Sequence, residues 1–218
     1  MSQRADAGVA PEASPARDWW LWLVLVLTAP RAVFSALRDE SPRAAANRSE
    51  PVLLVVWLAG IASVLTTATA GHLMDSQDYD SLLVAVWTFL AGGLYGGFAY
   101  WAFGAALYGG TRALGSPGSF RRSRHLLAYA AVPVALSLAL LPVKLALYGD
   151  DVFRRGGADT GADAVAFGVL SAAFLLWSLG LLAIGIRTIQ RWSWSRTAGA
   201  LGMSALLPLL VVLALSVL

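Results

Sequence analysis

The stretch LLVAVWTFLAGGLYGGFAYWAFGAALYGG, residues Leu82–Gly110, decides the fold class, because it runs without a single charged side chain. A helix needs about 20 apolar residues to cross the ~30 Å hydrocarbon core of a bilayer. Four more uncharged stretches of crossing length follow the same logic: Val52–Ala70, Leu126–Val143 (which continues past Lys144 to Tyr148), Ala164–Ile186 and Thr197–Leu218. Only 13% of the residues are charged and 58% are hydrophobic, whereas soluble domains carry about 25% charge. The expected fold is all-α, an integral membrane bundle of five transmembrane helices over about 52–70, 82–110, 125–148, 164–186 and 197–218.

The segments between these spans alternate in charge. Arg4, Arg17, Arg31, Arg38, Arg43 and Arg48 precede the first span. Arg112, Arg121, Arg122 and Arg124 lie between the second and third, and Arg187, Arg191 and Arg196 between the fourth and fifth. The intervening loops hold Asp75, Asp78 and Asp80 on one occasion, and Arg154 and Arg155 among four aspartates on the other. Positive charge in short loops resists translocation. The arginine-rich side is therefore expected in the cytoplasm of a bacterial cell membrane, with the N-terminus inside and the C-terminus outside. The net charge of +3 then reads as a topology signal and not as a nucleic-acid footprint.

Residues 1–17, rich in Ala, Pro, Ser and charge, read as a disordered cytoplasmic tail. Residues 18–50 read as an interfacial segment. Trp19–Leu27 is too short to cross. Pro30, Val33, Phe34 and Leu37 recur at helical spacing, with Arg31, Ser35 and Arg38 on the other side. This predicts an amphipathic helix lying in the membrane interface, peripheral to the bundle. The rival is a sixth span from Trp19 to Leu37 with Arg31 buried in it.

Three places stand out together: Ala29-Pro30 with Phe34, Leu37 and Pro51; Gly115-Ser116-Pro117-Gly118-Ser119-Phe120 with Tyr129 and Pro133; and Trp177-Ser178-Leu179 with Gly185. In these the chain resembles the Yip-domain family in its bacterial branch, five-span proteins first known as partners of Ypt/Rab GTPases. The resemblance covers residues 28–218, so 51–218 is expected to be a Yip-like membrane domain. The acidic-aromatic motif that eukaryotic members carry before the spans is missing from this sequence. The resemblance implies a non-enzymatic protein that organises membrane or partner proteins.

The residues themselves offer little chemistry. There is no cysteine, which removes thiol catalysis, disulfides and cysteine metal sites. No HExxH, GxSxG or phosphate-loop motif appears, and no cofactor or metal is expected. His72 with Asp75, Asp78 and Asp80 has no recognised ligand spacing. Lys144 is the one charge within a span, and its simplest role is to snorkel toward Asp150 or Asp151.

Gly92, Gly93, Gly96 and Gly97 form two overlapping GxxxG patterns. They serve either packing inside the bundle, a homo-oligomer seam, or the wall of a lipid-sized cavity lined by Tyr95, Tyr100, Trp101 and Tyr129. Arg121, Arg122, Arg124, Arg187 and Arg191 are candidate membrane-interface residues for anionic lipids. Pro133, Pro142 and Pro208 should kink their helices. Two functions compete: an organiser with a membrane-protein partner, and a carrier or channel for a small neutral or lipid-like compound.

Overall fold

The computed structural model of the chain describes residues 19–41, 49–67, 69–75, 80–156 and 161–217, the side chains at 19, 207 and 211–217 excepted. The expected tail over 1–17 lies outside these residues, as do Arg43, Arg48 and Asp78. Every regular element among the described residues is helical. In chain order they are α1 (Trp19–Thr28), α2 (Pro30–Ala36), α3 (Ser49–Leu65), α4 (Ser81–Ala113), α5 (Phe120–Ala130), α6 (Val132–Leu136), α7 (Leu140–Tyr148), α8 (Ala162–Gln190) and α9 (Trp194–Val217).

Three helical runs are long and apolar enough to cross a bilayer: α4, α8, and the α5–α7 run from Phe120 to Phe153. α3 is apolar over 17 residues, and α9 is helical over 24. At 1.5 Å per residue α4 is about 50 Å long and α8 about 44 Å, so both exceed the ~30 Å core. Their outer surfaces are greasy: Leu94 is 77% exposed and Leu176 67%. Water would not tolerate so many exposed leucines and aromatics on one chain, whereas lipid does. The protein is an all-α, multi-pass membrane bundle.

α3 and α4 form the closest pair, and α9 packs along the other side of α4. Glycine explains the closeness. A Cβ on Gly60 would collide with the Gly92 carbonyl oxygen and stand 2.7 Å from Gly96 Cα. A Cβ on Gly96 would collide with the Val56 carbonyl. Without hydrophobic drive between helices in lipid, such backbone approach is a main source of association. On the far side of α4, Gly110 makes the same allowance for α9, where a Cβ would come within 2.8 Å of the Ala200 carbonyl.

The run from α5 to α7 is interrupted where proline removes a donor. α5 ends at Ala130, one residue before α6, whose first turn holds Pro133. The Ser178 hydroxyl of α8 donates to the Ala130 carbonyl at 2.6 Å, a polar repair of the kind that lets membrane helices keep proline. A 3₁₀ turn at Ser137–Ala139 follows, then α7 with Pro142.

The N-terminal segment keeps the expected start of a helix at Pro30 and departs from expectation in where its apolar face lies. The helix breaks at Ala29, whose φ of −136° and ψ of 59° are not helical, and Pro30 starts α2. A single Trp19–Leu37 helix is therefore not formed, and α1 alone would reach only about 15 Å. Val33, Phe34 and Leu37 do share one face, but protein covers it: all three are fully buried, α2 packs on α8, and the Phe34 ring lies against Gly185. The expected peripheral helix is instead part of the core, which also holds Val26, Leu126, Tyr129 and Ile186. Burying these side chains against α8 removes more apolar area from water than lying half-immersed at an interface would.

Candidate functional site

The arginine-bearing segments converge on one end of the bundle. Arg38, just past α2, donates from Nε to the Ile189 carbonyl at 3.3 Å and from its guanidinium to that of Thr188. These are carbonyls of the last turn of α8, which has no following helical donors, so Arg38 caps α8 from another segment. α8 then stops at Arg191 in the left-handed region, at φ 55°.

Arg122 of α5 donates to the Arg38 carbonyl at 3.1 Å and pairs through Nε with Glu40 at 2.9 Å. Ser119 donates to Glu40 at 2.7 Å and also caps α5 by accepting the Arg122 N–H. In the α4–α5 turn, where Gly115 takes φ 83°, the Ser116 hydroxyl accepts from Gln190 of α8 at 2.5 Å. Arg112 donates to the Ser116 carbonyl at 3.2 Å, and Arg196 of α9 to that of Leu114. Segments far apart in sequence are thus tied into one polar platform.

Two arginines of this end are held differently. The guanidinium carbon of Arg124 lies 3.7 Å from the Trp101 ring centre, 4.7 Å from Phe120 and 5.1 Å from Tyr100. Gly104 makes room for it, since a Cβ there would strike the Arg124 stem. Arg187 lies 4.8 Å from the Trp194 ring. Such contacts stabilise by about 0.5–2 kcal/mol each. The signal for Arg124 was present in the sequence only as scattered aromatics, because its box draws on two helices 20 residues apart. Of the other candidates, Arg121 and Arg191 are exposed. Pro30 opens α2 beside the buried face already described.

Next to the Arg124 box lies a cavity of about 730 Å³ between α3, α4, α5–α6, α8 and α9. Tyr95 and Tyr100 line it, as expected, together with Gly96, Phe103, Leu127, Leu179 and Ala205. Trp101 and Tyr129 do not. Trp101 instead carries Arg124, and Tyr129 is 1% exposed in the core. The serines in the wall are turned away from solvation, for Ser63, Ser178 and Ser204 donate to the carbonyls of Ala59, Ala130 and Ala200. A wall of this composition holds water poorly.

The four glycines of the overlapping GxxxG patterns in α4 divide. Gly92 and Gly96 face α3 through Gly60 and Ile61, Gly93 lies under the Trp57 ring, and Gly97 has open space before it. At the opposite end of the bundle, Asp75 accepts the Arg155 N–H at 2.8 Å, with His72 3.8 Å away. Lys144 places its ammonium 5.6 Å from the Phe167 ring, and Asp150 accepts from Ser81 at 3.5 Å.

Residues 24–216 match the family model described as Yip1 domain, nearly the whole chain, and the protein belongs to that family. No curated protein and no solved structure matches the chain.

Proposed function

We propose that this Yip1-domain protein is a non-enzymatic organiser of the membrane, gathering partner proteins around a rigid arginine-bearing face. The reading takes the bundle as five spans in the cell membrane, with the N-terminus and the arginine-rich end in the cytoplasm and the C-terminus outside. It is supported above all by the way Arg38, Glu40, Ser119, Arg122, Ser116, Gln190 and Arg196 join separate segments into one platform. That arrangement spends its polar groups on one another: the Ser119 hydroxyl is committed to Glu40 and to the cap of α5, and Glu40 to Arg122, which suits display more than turnover.

The test is capture in native-lipid particles followed by mass spectrometry, comparing the full chain with one carrying Arg121→Glu and Arg191→Glu, both exposed positions. A stoichiometric protein partner, lost on charge reversal with the fold intact, is expected. Residues 19–38 should be left in place, because removing Phe34 and Arg38 would strip the core and the cap of α8. No partner in any preparation would defeat the organising role.

The 730 Å³ apolar cavity favours a second reading, a carrier for a lipid-like compound. Movement of a fluorescent lipid across proteoliposomes containing the protein, absent from empty liposomes, would support it over the first.

A further inference from the structure

We infer that the cavity between α4, α8 and α9 is the seat of one resident anionic phospholipid, with an acyl chain inside it and the phosphate on Arg124. The inference rests on the membrane-spanning reading and is independent of the organising role.

Three observations converge. The first is what the cavity can hold. Its wall is apolar, its serines are engaged with backbone carbonyls, and it is partly open at the side, where Leu179 is exposed and also lines it. α9 packs along α4 and touches α8 much less, so lipid chains in the surrounding bilayer can reach the cavity between α8 and α9. An apolar space open to hydrocarbon fills with hydrocarbon.

The second is the charge at its rim. Tyr100 lines the cavity and is also one wall of the Arg124 box, and Leu127, one turn along α5 from Arg124, lines the cavity too. The charge therefore stands next to the apolar space, as a headgroup stands next to its chains.

The third is what Arg124 lacks. Arg38, Arg112, Arg122 and Arg196 each have a carbonyl or carboxylate acceptor in the protein. Among the described residues, Arg124 has three aromatic rings but no carboxylate within 4.0 Å, and its Nε is buried without a hydrogen-bond partner. Rings satisfy the face of a guanidinium and form no in-plane hydrogen bond with its N–H groups. A phosphate is the acceptor that fits such an edge. Gly104 keeps the arginine in this position, because any side chain there would displace its stem.

The experiment is native mass spectrometry of the full chain, loaded from mixed micelles holding equal amounts of phosphatidylglycerol and phosphatidylcholine with matched chains. One phospholipid should survive activation, with phosphatidylglycerol retained severalfold over phosphatidylcholine, because both bring a phosphate to Arg124 but only choline sets a second cation against the guanidinium. Arg124→Gln should bring the ratio close to one while a lipid is still retained. Ala205→Trp, which fills the cavity from α9, should remove the retained lipid of either kind with the melting temperature held; Leu179→Trp serves the same purpose from α8. Equal retention of the two lipids by the unaltered protein needs no variant and would overturn the inference. So would an Arg124→Gln protein that keeps the full preference, or inorganic phosphate bound where no lipid is retained. Topology labelling reads the membrane-spanning premise separately, so the two can fail independently.

Discussion

Gly60→Ala adds one methyl group at the tightest place in the bundle, and its consequence can be worked from the geometry. The new Cβ would overlap the Gly92 carbonyl oxygen and lie 2.7 Å from both Cα and N of Gly96, whereas ordinary contact begins at 3.4 Å. These are backbone atoms, so no rotamer change relieves them. α3 and α4 must part by roughly 1 Å, and a gap of that size forfeits a quarter to a half of each dispersion contact along the crossing. Overpacking of this kind costs about 1–3 kcal/mol. Alanine returns up to ~1 kcal/mol of helix propensity over glycine, leaving a net loss of up to about 2 kcal/mol. Gly97→Ala is the internal control: nothing lies within 4 Å of its Cβ position, so only the propensity gain remains and the protein should be slightly more stable. Reversible unfolding in mixed micelles with increasing dodecyl sulfate, followed by tryptophan fluorescence, measures both. A Gly60→Ala protein as stable as the Gly97→Ala protein would refute the crossing. A Gly97→Ala protein that loses stability would show that a second surface meets α4 there.

Further outcomes follow from the arginine-bearing end. Phe34→Ala removes a fully buried ring and should cost about 3 kcal/mol, raising hydrogen exchange in the last turn of α8; a peripheral helix would leave α8 protection unchanged. Glu40→Gln should cost no more than about 1 kcal/mol, because Glu40 is 43% exposed and the Arg122 pair is salt-screened; a larger loss in high salt would contradict this. Trp194→Ala should cost about 0.5–1 kcal/mol by removing the ring beneath Arg187, read by the same unfolding assay. The Ser41 N–H donates to the Asp39 carboxylate at 2.9 Å and holds that carboxyl below its ordinary pKa. A depressed folded value means the turn is fully supported above the ordinary carboxylate range and loosens as pH falls through the lowered value. Faster exchange of the Ser41 amide only under acidic conditions would show it, and exchange with no acid dependence beyond the intrinsic rate would contradict it.

The span pattern was legible because lipid imposes a simple rule. Leu82–Gly110 and Ala164–Ile186 are uncharged for longer than a bilayer is thick, and they lie within α4 and α8. The proline break in the third run was also readable, from Pro133. The position of α2 was not. An amphipathic helix presents the same spacing whether its apolar face meets lipid or protein, and Phe34 finds Gly185 at a separation of 151 residues. Gly60 carries no signal in the sequence, since it lies alone in its span, and only the fold sets it against Gly92 and Gly96. The Arg124 box eluded the sequence for a similar reason. Trp101 was visible as an aromatic of α4, but its pairing with an arginine of the next helix depends on the α4–α5 turn at Gly115. The cavity was half anticipated: Tyr95 and Tyr100 face it, while Trp101, one residue on, falls on a different side of the same helix.

The measurement that tests the account most directly is topology by thiol labelling, made clean by the absence of cysteine from the chain. Single cysteines at Ser193 and Asp163, and one appended after Leu218, would be probed with an impermeant reagent in right-side-out and inside-out vesicles. The account predicts that Ser193→Cys labels only from the cytoplasmic side, and that Asp163→Cys and the C-terminal cysteine label only from outside. Labelling of Ser193→Cys and Asp163→Cys from the same side, or of the C-terminal cysteine from the cytoplasm, would contradict five spans with the arginine-bearing face inside.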